Sequence, residues 1–463
     1  MAKENPNRRS FLSNGLAVSG TLALSASSYT NVLGANDRVG VGFIGYGLIG
    51  KRHVIDFKEQ KDVNAVAVCD VHRGRQKEAV DFIGGNVKGC TDFRKLLENK
   101  DVQAVVVSTP DHWHALMTML GCEAGKDVYV EKPLTLFPRE GSWMLKVAKR
   151  NKSVVQVGTQ QRSGKHYQRA KALIEQGHIG KVMAVKMQAA RNIMPGYGNP
   201  RDGKPPAEMN YDLWLGPAPK RAYNPNRAIY HFRWFWDYSG GQMTNLGQHS
   251  LDIVDWILGV SSLKQVVSLG GRFSLKDNGE TPDTQDAIFQ FDGWTATWSH
   301  REASNGEEPP FSLELYGTKG SLGINRKMFR VIADKDVPSA NTVPQFTGAH
   351  PVGGPQSVKV KDPNKLRTKA ITDRSGNGRT QFKDHVRNFL DCIKSRKQPI
   401  SDLESGHRVA TVCHLANLAL RLGRPIKWSF KTESILEDKE AAKWLVRPYR
   451  SPWDKELRAL KVE

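Results

Sequence analysis

Val39-Gly40-Val41-Gly42-Phe43-Ile44 runs directly into Gly45-Tyr46-Gly47-Leu48-Ile49-Gly50, and the reading of this stretch decides the fold. The apolar run has the length of a buried strand, and residues 51–58 continue as a helix, so the glycines sit at a strand–turn–helix junction. There Gly45 permits the tight turn, Gly47 lets backbone approach a pyrophosphate, and Gly50 lets the helix pack closely on the strand. The helix N-terminus then faces the anion. A second apolar run, Val63–Cys69, ends in Asp70, twenty residues past Gly50. That is the spacing of a carboxylate that hydrogen-bonds the ribose of NAD. A carboxylate repels a 2′-phosphate, so Asp70 favours NAD, while Arg73 and Arg75 keep NADP open.

Working outward, the sequence predicts strands at 104–108, Asp127–Val130 and 154–157, with helices over 113–124 and 137–150 between them. Valine runs alternating with amphipathic helices give a parallel sheet covered on both faces. Ligands of such sheets lie at the carboxyl ends of strands. The residues at those ends are Asp70, then Thr109-Pro110-Asp111-His112-Trp113-His114, then Glu131-Lys132-Pro133. The expected nucleotide contacts are therefore Gly45, Gly47, Leu48, Ile49, Gly50, Asp70, Arg73, Thr109, Pro110, His112, His114, Glu131 and Lys132. Lys132, held near a nicotinamide, could orient a substrate hydroxyl or exchange its proton; the competing reading is an ordinary surface charge.

Beyond Val157 the pattern changes. Helix 165–176 precedes strands at 182–189, 265–272, 286–291, 294–299, 311–317 and 328–333, joined by turns as in a mostly antiparallel sheet. Residues 334–380 read as a long loop, 381–396 and Leu403–Leu422 as amphipathic helices, and 431–463 as an irregular tail. The domains are thus 1–35, 36–157 (Rossmann), 158–430 (α+β, for substrate and oligomerisation) and the tail. Residues 211–238 hold nine aromatics, three of them Trp, beside His231, Arg233 and Asp237. Aromatics among polar groups suit a sugar ring, which makes Trp236 and Tyr238 candidate substrate contacts; a buried packing cluster or a subunit interface fits equally well. In Gly240-Gly241-Gln242-Met243-Thr244-Asn245-Leu246-Gly247-Gln248-His249-Ser250-Leu251-Asp252, His249 and Asp252 share a helical face and Asn245 lies one turn earlier. His249 reads as a general base for an alcohol proton, or else as a capping or core histidine.

The bulk numbers exclude several classes. Of 463 residues 39% are hydrophobic and 25% charged, which describes an ordinary globular chain of two domains. No eighteen-residue apolar run spans a membrane. Of the net charge of +21, +8 falls in 351–400, with twelve Lys/Arg against four Asp, yet no nucleic-acid module accompanies it. Cys69, Cys90, Cys122, Cys392 and Cys413 are scattered, so neither a disulfide framework nor a metal site is expected. The N-terminus, Asn7-Arg8-Arg9-Ser10-Phe11-Leu12 followed by a short apolar stretch and Ala/Ser, reads as a signal peptide of the twin-arginine kind, with an amphipathic first helix as the alternative. A periplasm has no free nucleotide pool, so the cofactor should be held tightly.

These motifs in this order, namely the glycine turn, Asp70, Ser108-Thr109-Pro110-Asp111-His112-Trp113-His114, Glu131-Lys132-Pro133-Leu134, Val157-Gly158-Thr159-Gln160-Gln161-Arg162-Ser163 and the 240–259 segment, resemble the Gfo/Idh/MocA (glucose–fructose oxidoreductase/inositol dehydrogenase) family. The resemblance covers residues 38 to about 430. It implies that Lys132 and His249 form the catalytic pair and that Arg162 lies on the substrate side. Asn245 stands where the family often has Asp, so His249 would act without that carboxylate, or Asp252 would orient it. The function expected is hydride transfer at a secondary hydroxyl of a sugar, cyclitol or glycoside, by an exported homo-oligomer joined through the second-domain sheet. Redox-neutral glycoside cleavage by oxidation, elimination and reduction, or nucleotide and sugar binding without turnover, are the alternatives.

Overall fold

The computed structural model describes residues 38–306, 311–335 and 365–462, together with the backbone of 345–347 and 350–352; the twin-arginine segment lies outside the described residues. The first domain contains β1 (Val39–Ile44), α1 (Leu48–Lys58), β2 (Val63–Cys69), α2 (Arg73–Ile83), β3 (Lys88–Cys90), α3 (Phe93–Leu97), β4 (Ala104–Val107), α4 (His114–Glu123), β5 (Asp127–Val130), α5 (Pro138–Asn151) and β6 (Val155–Val157). Its six strands run parallel in the order β3-β2-β1-β4-β5-β6. Every residue of β1, β4, β5 and β6 is buried, as strands with helices on both faces must be. The α2–β3 unit escaped the sequence reading because α2 buries only Ala79 and so carries no apolar stripe.

The second domain begins with α6 (Lys165–Glu175) and β7 (Val182–Asn192), followed by α7 (Tyr211–Leu215), α8 (Gln248–Leu258), β8 (Gln265–Gly271), β9 (Thr284–Phe291), β10 (Trp294–Arg301), β11 (Ala303–Ser304), β12 (Leu313–Gly317), β13 (Gly320–Ile324) and β14 (Phe329–Ala333). The hairpin β15–β16 (Gln345–Thr347, His350–Val352), β17 (Ile371–Asp373), α9 (Gly378–Ser395), α10 (Leu403–Leu422), β18 (Ile426–Ser429), β19 (Ser434–Ile435), α11 (Lys439–Ala442) and α12 (Trp453–Ala459) complete it. The large sheet runs β17-β14-β13-β12-β7-β10-β9-β8-β18-β19, with β11 also on β7. Among the described residues of this sheet, only β7 and β10 pair in parallel. Burial alternates strictly along β9, so one face packs against α8 and α10 through Val254, Leu251, Val412 and Leu415 while the other faces outward. The strand β13 was not expected: Gly320 and Gly323 interrupt its apolar pattern, and a Cβ on Gly323 would sit 2.2 Å from the Phe311 ring.

The chain does not end in an irregular tail. Trp453, Leu457 and Leu460 of the α12 region pack on one face of the Rossmann sheet, against a core that includes Val105, Val130 and Trp143. Val386, Phe389 and Leu390 of α9 pack on the other face with Phe43 and Tyr129. The nucleotide domain is therefore completed by residues of α9 and of the α12 region, far along the chain, which a linear division at 157 misses. The stretch expected to be a loop carries β17 on β14 and the start of α9. All five cysteines are free; Cys69 and Cys90 are register partners on β2 and β3.

Candidate active site

The glycine turn forms the floor of a cleft of about 980 Å3, partly open to solvent. Gly45 has φ +91°, and a Cβ there would meet the Ser108 carbonyl oxygen at 2.8 Å. At Gly50 a Cβ would lie 2.1 Å from the Gly45 oxygen, so that glycine serves the close approach of α1 to the turn. Gly47 differs: the nearest atom to a Cβ there is Arg75 Nη1 at 3.7 Å. The protein itself leaves that space open, as a pyrophosphate cradle requires. Asp70 is pinned by the backbone amides of Tyr46 and His72, each 2.8 Å from one carboxylate oxygen. Burial raises its pKa, and the two amides and Arg75 oppose that. Leu48, Ile49, Thr109 and Pro110 also line the cleft. These residues fit a dinucleotide.

Several expected contacts sit elsewhere. Arg73 is exposed at the start of α2; Arg75 and His72 line the cleft instead, since two positions along a helix lead to the opposite face. His112 is buried with Nε2 3.0 Å from the Trp214 oxygen, and burial lowers its pKa to about 3. His114 bridges the carbonyls of Pro133 and Thr109 at 2.6 and 2.8 Å, holding two strand-end loops together. Glu131 lies behind Lys132, accepting from His53 Nε2, Gln160 Nε2 (both 2.7 Å) and the Lys132 amide (3.0 Å). Burial works to raise its pKa, but the His53 hydrogen bond and nearby cations hold it below the ordinary value.

The aromatic block resolves in favour of packing. Met209, Trp214, Phe232, Trp234, Phe235 and Tyr238 form one buried cluster. Tyr238 is fully enclosed, its ring against Trp214 and His112. Trp236 faces a separate cavity with Phe137 and Arg421. Neither lines the nucleotide cleft. The same segment nevertheless roofs that cleft, through Met209, Leu213, Trp214, Ile229, Tyr230, Phe232 and Arg233.

At the end of β5 the Lys132 amine donates to the Asn245 side-chain oxygen at 2.9 Å and to its carbonyl at 3.1 Å. Burial, with Arg233 and Arg326 nearby, brings its pKa down to about 8, against the opposing pull of Glu131 and Asp111. Asn245 belongs to a π-helical turn, Met243–Gly247, that leads into α8; such single turns are frequent at functional sites. Its amide donates to Gln242 Oε1 at 3.1 Å, and Gln242 donates to buried Glu302 at 2.7 Å. His249 is 8% exposed, and its Nε2 lies 3.3 Å from Arg326 Nη2. Arginine has no acceptor, so Nε2 accepts and the ring is neutral with its proton on Nδ1. Burial, Lys132 and Arg326 together hold its pKa well below the usual histidine range. Arg326, in the turn after the unexpected strand β13, had no sequence signal.

Asp252 does not orient His249. It accepts from Arg162, at 2.9 Å (Nε) and 2.8 Å (Nη2). Arg162 also pairs with Asp255 at 3.4 Å and is 2% exposed, so its guanidinium is committed inside the protein and not to the substrate side. Burial pushes the Asp252 pKa up to about 6, against the pull of Arg162. Arg162→Met is expected to cost roughly 3 kcal/mol of stability in urea unfolding, because it strands a buried carboxylate. The loss should be smaller at pH 5 than at pH 8, since Asp252 then takes up a proton. A cost below ~0.5 kcal/mol at pH 8, the range of an ordinary surface change, would mean the pair is not structural.

Among the described residues no group of His, Cys, Asp and Glu is arranged to hold a metal ion, and no helix is long and apolar enough to cross a membrane. Family models match most of the chain: an oxidoreductase family with an NAD-binding Rossmann fold over residues 39–159, its C-terminal alpha/beta domain over 164–269 and 377–455, and a GFO/IDH/MocA C-terminal domain over 219–323. A scyllo-inositol 2-dehydrogenase (NAD(+)) of Bacillus subtilis is 26% identical over 312 residues, 65% of this chain and 79% of that one. A glycosyl hydrolase family 109 protein of Shewanella baltica is 30% identical over 155 residues, 32% of this chain and 34% of that one. A solved levoglucosan dehydrogenase, in complex with NADH and levoglucosan, shares the fold at TM-score 0.62 with 17% identity, over 84% of this chain and 99% of that one. With a parallel Rossmann sheet, a mostly antiparallel second sheet and matches across both domains, the chain belongs to the Gfo/Idh/MocA family of NAD-binding oxidoreductases.

Proposed function

We propose that the protein moves hydride between a nicotinamide dinucleotide and a secondary hydroxyl of a sugar, cyclitol or glycoside, and that Lys132 handles the hydroxyl proton. The observation that carries this is the Lys132 amine, fixed on Asn245 and brought to a pKa of about 8 at the end of a Rossmann strand. The nicotinamide, when bound, supplies the hydride acceptor or donor. The chain's own groups do the rest. A neutral Lys132 accepts the hydroxyl proton as the carbon is oxidised, and the ammonium returns it in the reverse direction. His249 is a weak base in its present setting and serves as a neutral polar wall beside that amine. The turn at 45–50 and Asp70 hold the adenosine and pyrophosphate side, with NAD favoured over NADP by the Asp70 carboxylate.

The test is to denature the purified protein, identify the released nucleotide, and follow its reduction in the native protein by polyols and sugars. NAD released and reduced is the expected result. No nucleotide released, and none bound on addition, would sink the reading.

A second reading is redox-neutral cleavage of a glycoside. The roof of residues 209–233 over the cleft supports a nucleotide that stays in place through a full oxidation–reduction cycle, and the similarity to a family 109 glycosyl hydrolase points the same way. Release of nitrophenol from nitrophenyl glycosides without net change in bound nucleotide would favour it over the dehydrogenase.

Export through the twin-arginine route to the periplasm is part of the proposal. Arg8→Lys with Arg9→Lys should leave a folded, nucleotide-loaded precursor in the cytoplasm, and unchanged export would count against it. Assembly through the large sheet, whose outer face carries exposed Leu269, Ile288 and Ile332, should show as a multiple of the chain mass in light scattering.

A further inference from the structure

The cations beside Lys132 ask for an anion that the protein does not supply. Arg326 is half-buried in the turn between β13 and β14, with Nη2 on His249, and among the described residues no carboxylate lies within ion-pair distance of it. Among the described residues Lys132 and Arg233 likewise have no ion pair, and Arg233 donates to the Tyr230 carbonyl at 3.1 Å. Four other inward-facing arginines are paired: Arg162 with Asp252 and Asp255, Arg191 with Glu302, Arg272 with Asp277, Arg408 with Asp255. The two carboxylates near Lys132 are engaged behind it, Glu131 by His53 and Gln160, and Asp111 by Ser239. Arg326 is not part of the nucleotide cleft, whereas Arg75 stands beside Gly47, so the pyrophosphate does not account for Arg326. Two cations beside one neutral histidine, with Arg233 close to Lys132 as well, are costly unless an anion joins them.

We propose that the substrate is an acidic sugar, carrying a carboxylate or sulfate group that Arg326 binds while Lys132 meets the reacting hydroxyl. The inference rests on the sugar-alcohol reading above and narrows it. A planar guanidinium suits either group, since it can give two parallel hydrogen bonds to two oxygens. The chain's net charge of +21 would also draw such a substrate in.

The experiment uses the nucleotide-loaded protein and six sugars: D-glucuronate, D-galacturonate and glucose 6-sulfate against D-glucose, D-galactose and myo-inositol. The quantity read is the concentration giving half-maximal reduction of the bound nucleotide, in wild type, Arg326→Gln and Arg326→Lys. Acidic members should saturate at about tenfold or more lower concentration than their neutral counterparts, and the uronates against glucose 6-sulfate say which anion is preferred. In Arg326→Gln the acid-to-neutral ratio should fall towards one, and Arg326→Lys should recover part of it. A purely structural role would move both classes together and leave the ratio intact. Neutral sugars reacting as well as acidic ones, or a ratio unmoved by Arg326→Gln, overturns the inference while the sugar-alcohol reading stands. No reaction with any of the six removes that reading and this inference with it.

Discussion

Lys132→Ala is expected to copurify with its nucleotide and to lose about 10²–10⁴-fold in turnover, the usual cost of removing a positioned acid–base group. The nucleotide should stay because the residues that cradle it, Gly45, Gly47 and Asp70, line a cleft to which Lys132 does not contribute, and make no bond to the Lys132 amine. The pH profile adds a sign. With a pKa of about 8 the amine is mostly protonated at pH 7, so oxidation should rise with pH and level off above about 8, while reduction should fall over the same range. Asn245→Asp should shift that limb to higher pH, because a carboxylate 2.9 Å from the amine favours the ammonium. His249→Ala should cost less than Lys132→Ala, since burial and two neighbouring cations leave its ring a poor proton acceptor. A Lys132→Ala enzyme with near-normal turnover would remove the assignment; so would a profile with no limb near pH 8.

Gly47→Val is expected to fold and to lose its nucleotide altogether. A Cβ added at Gly47 meets no protein atom closer than 3.7 Å, and the nearest is the end of the flexible Arg75 side chain, so the substitution should leave the unfolding midpoint within a few degrees of wild type. The space it fills is the one that a pyrophosphate needs. Gly50→Val is the control: its Cβ would stand 2.1 Å from a backbone oxygen, so that variant should lose stability and nucleotide together. The distinction is read from nucleotide content and thermal unfolding of both proteins. Normal nucleotide content in a folded Gly47→Val protein would show that the cradle lies elsewhere.

How much of this was legible in the chain follows from what local sequence can encode. The sequence by itself determined the Rossmann domain, because a parallel sheet buried on both faces writes itself as valine runs, and because a pyrophosphate turn needs glycines at fixed offsets from a strand. Asp70 was legible for the same reason, as a strand end at a set distance from that turn. The antiparallel character of the second domain was legible wherever burial alternates, as along β9, and lost at β13, where glycines yield to the Phe311 ring.

Only the tertiary structure decided which polar groups meet. Arg162 and Asp252 each read as a site residue, yet they satisfy one another, since a buried charge must find its partner wherever the chain brings one. Trp236 and Tyr238 read as sugar platforms but went to packing and to a separate cavity, while their neighbours came to roof the nucleotide cleft. Arg326 lies 77 residues from His249 and in no motif, and nothing but the fold could set its guanidinium against that ring. Spacing along the chain encodes contacts within one turn or one strand end; pairing of charges across domains depends on burial, which no local pattern records.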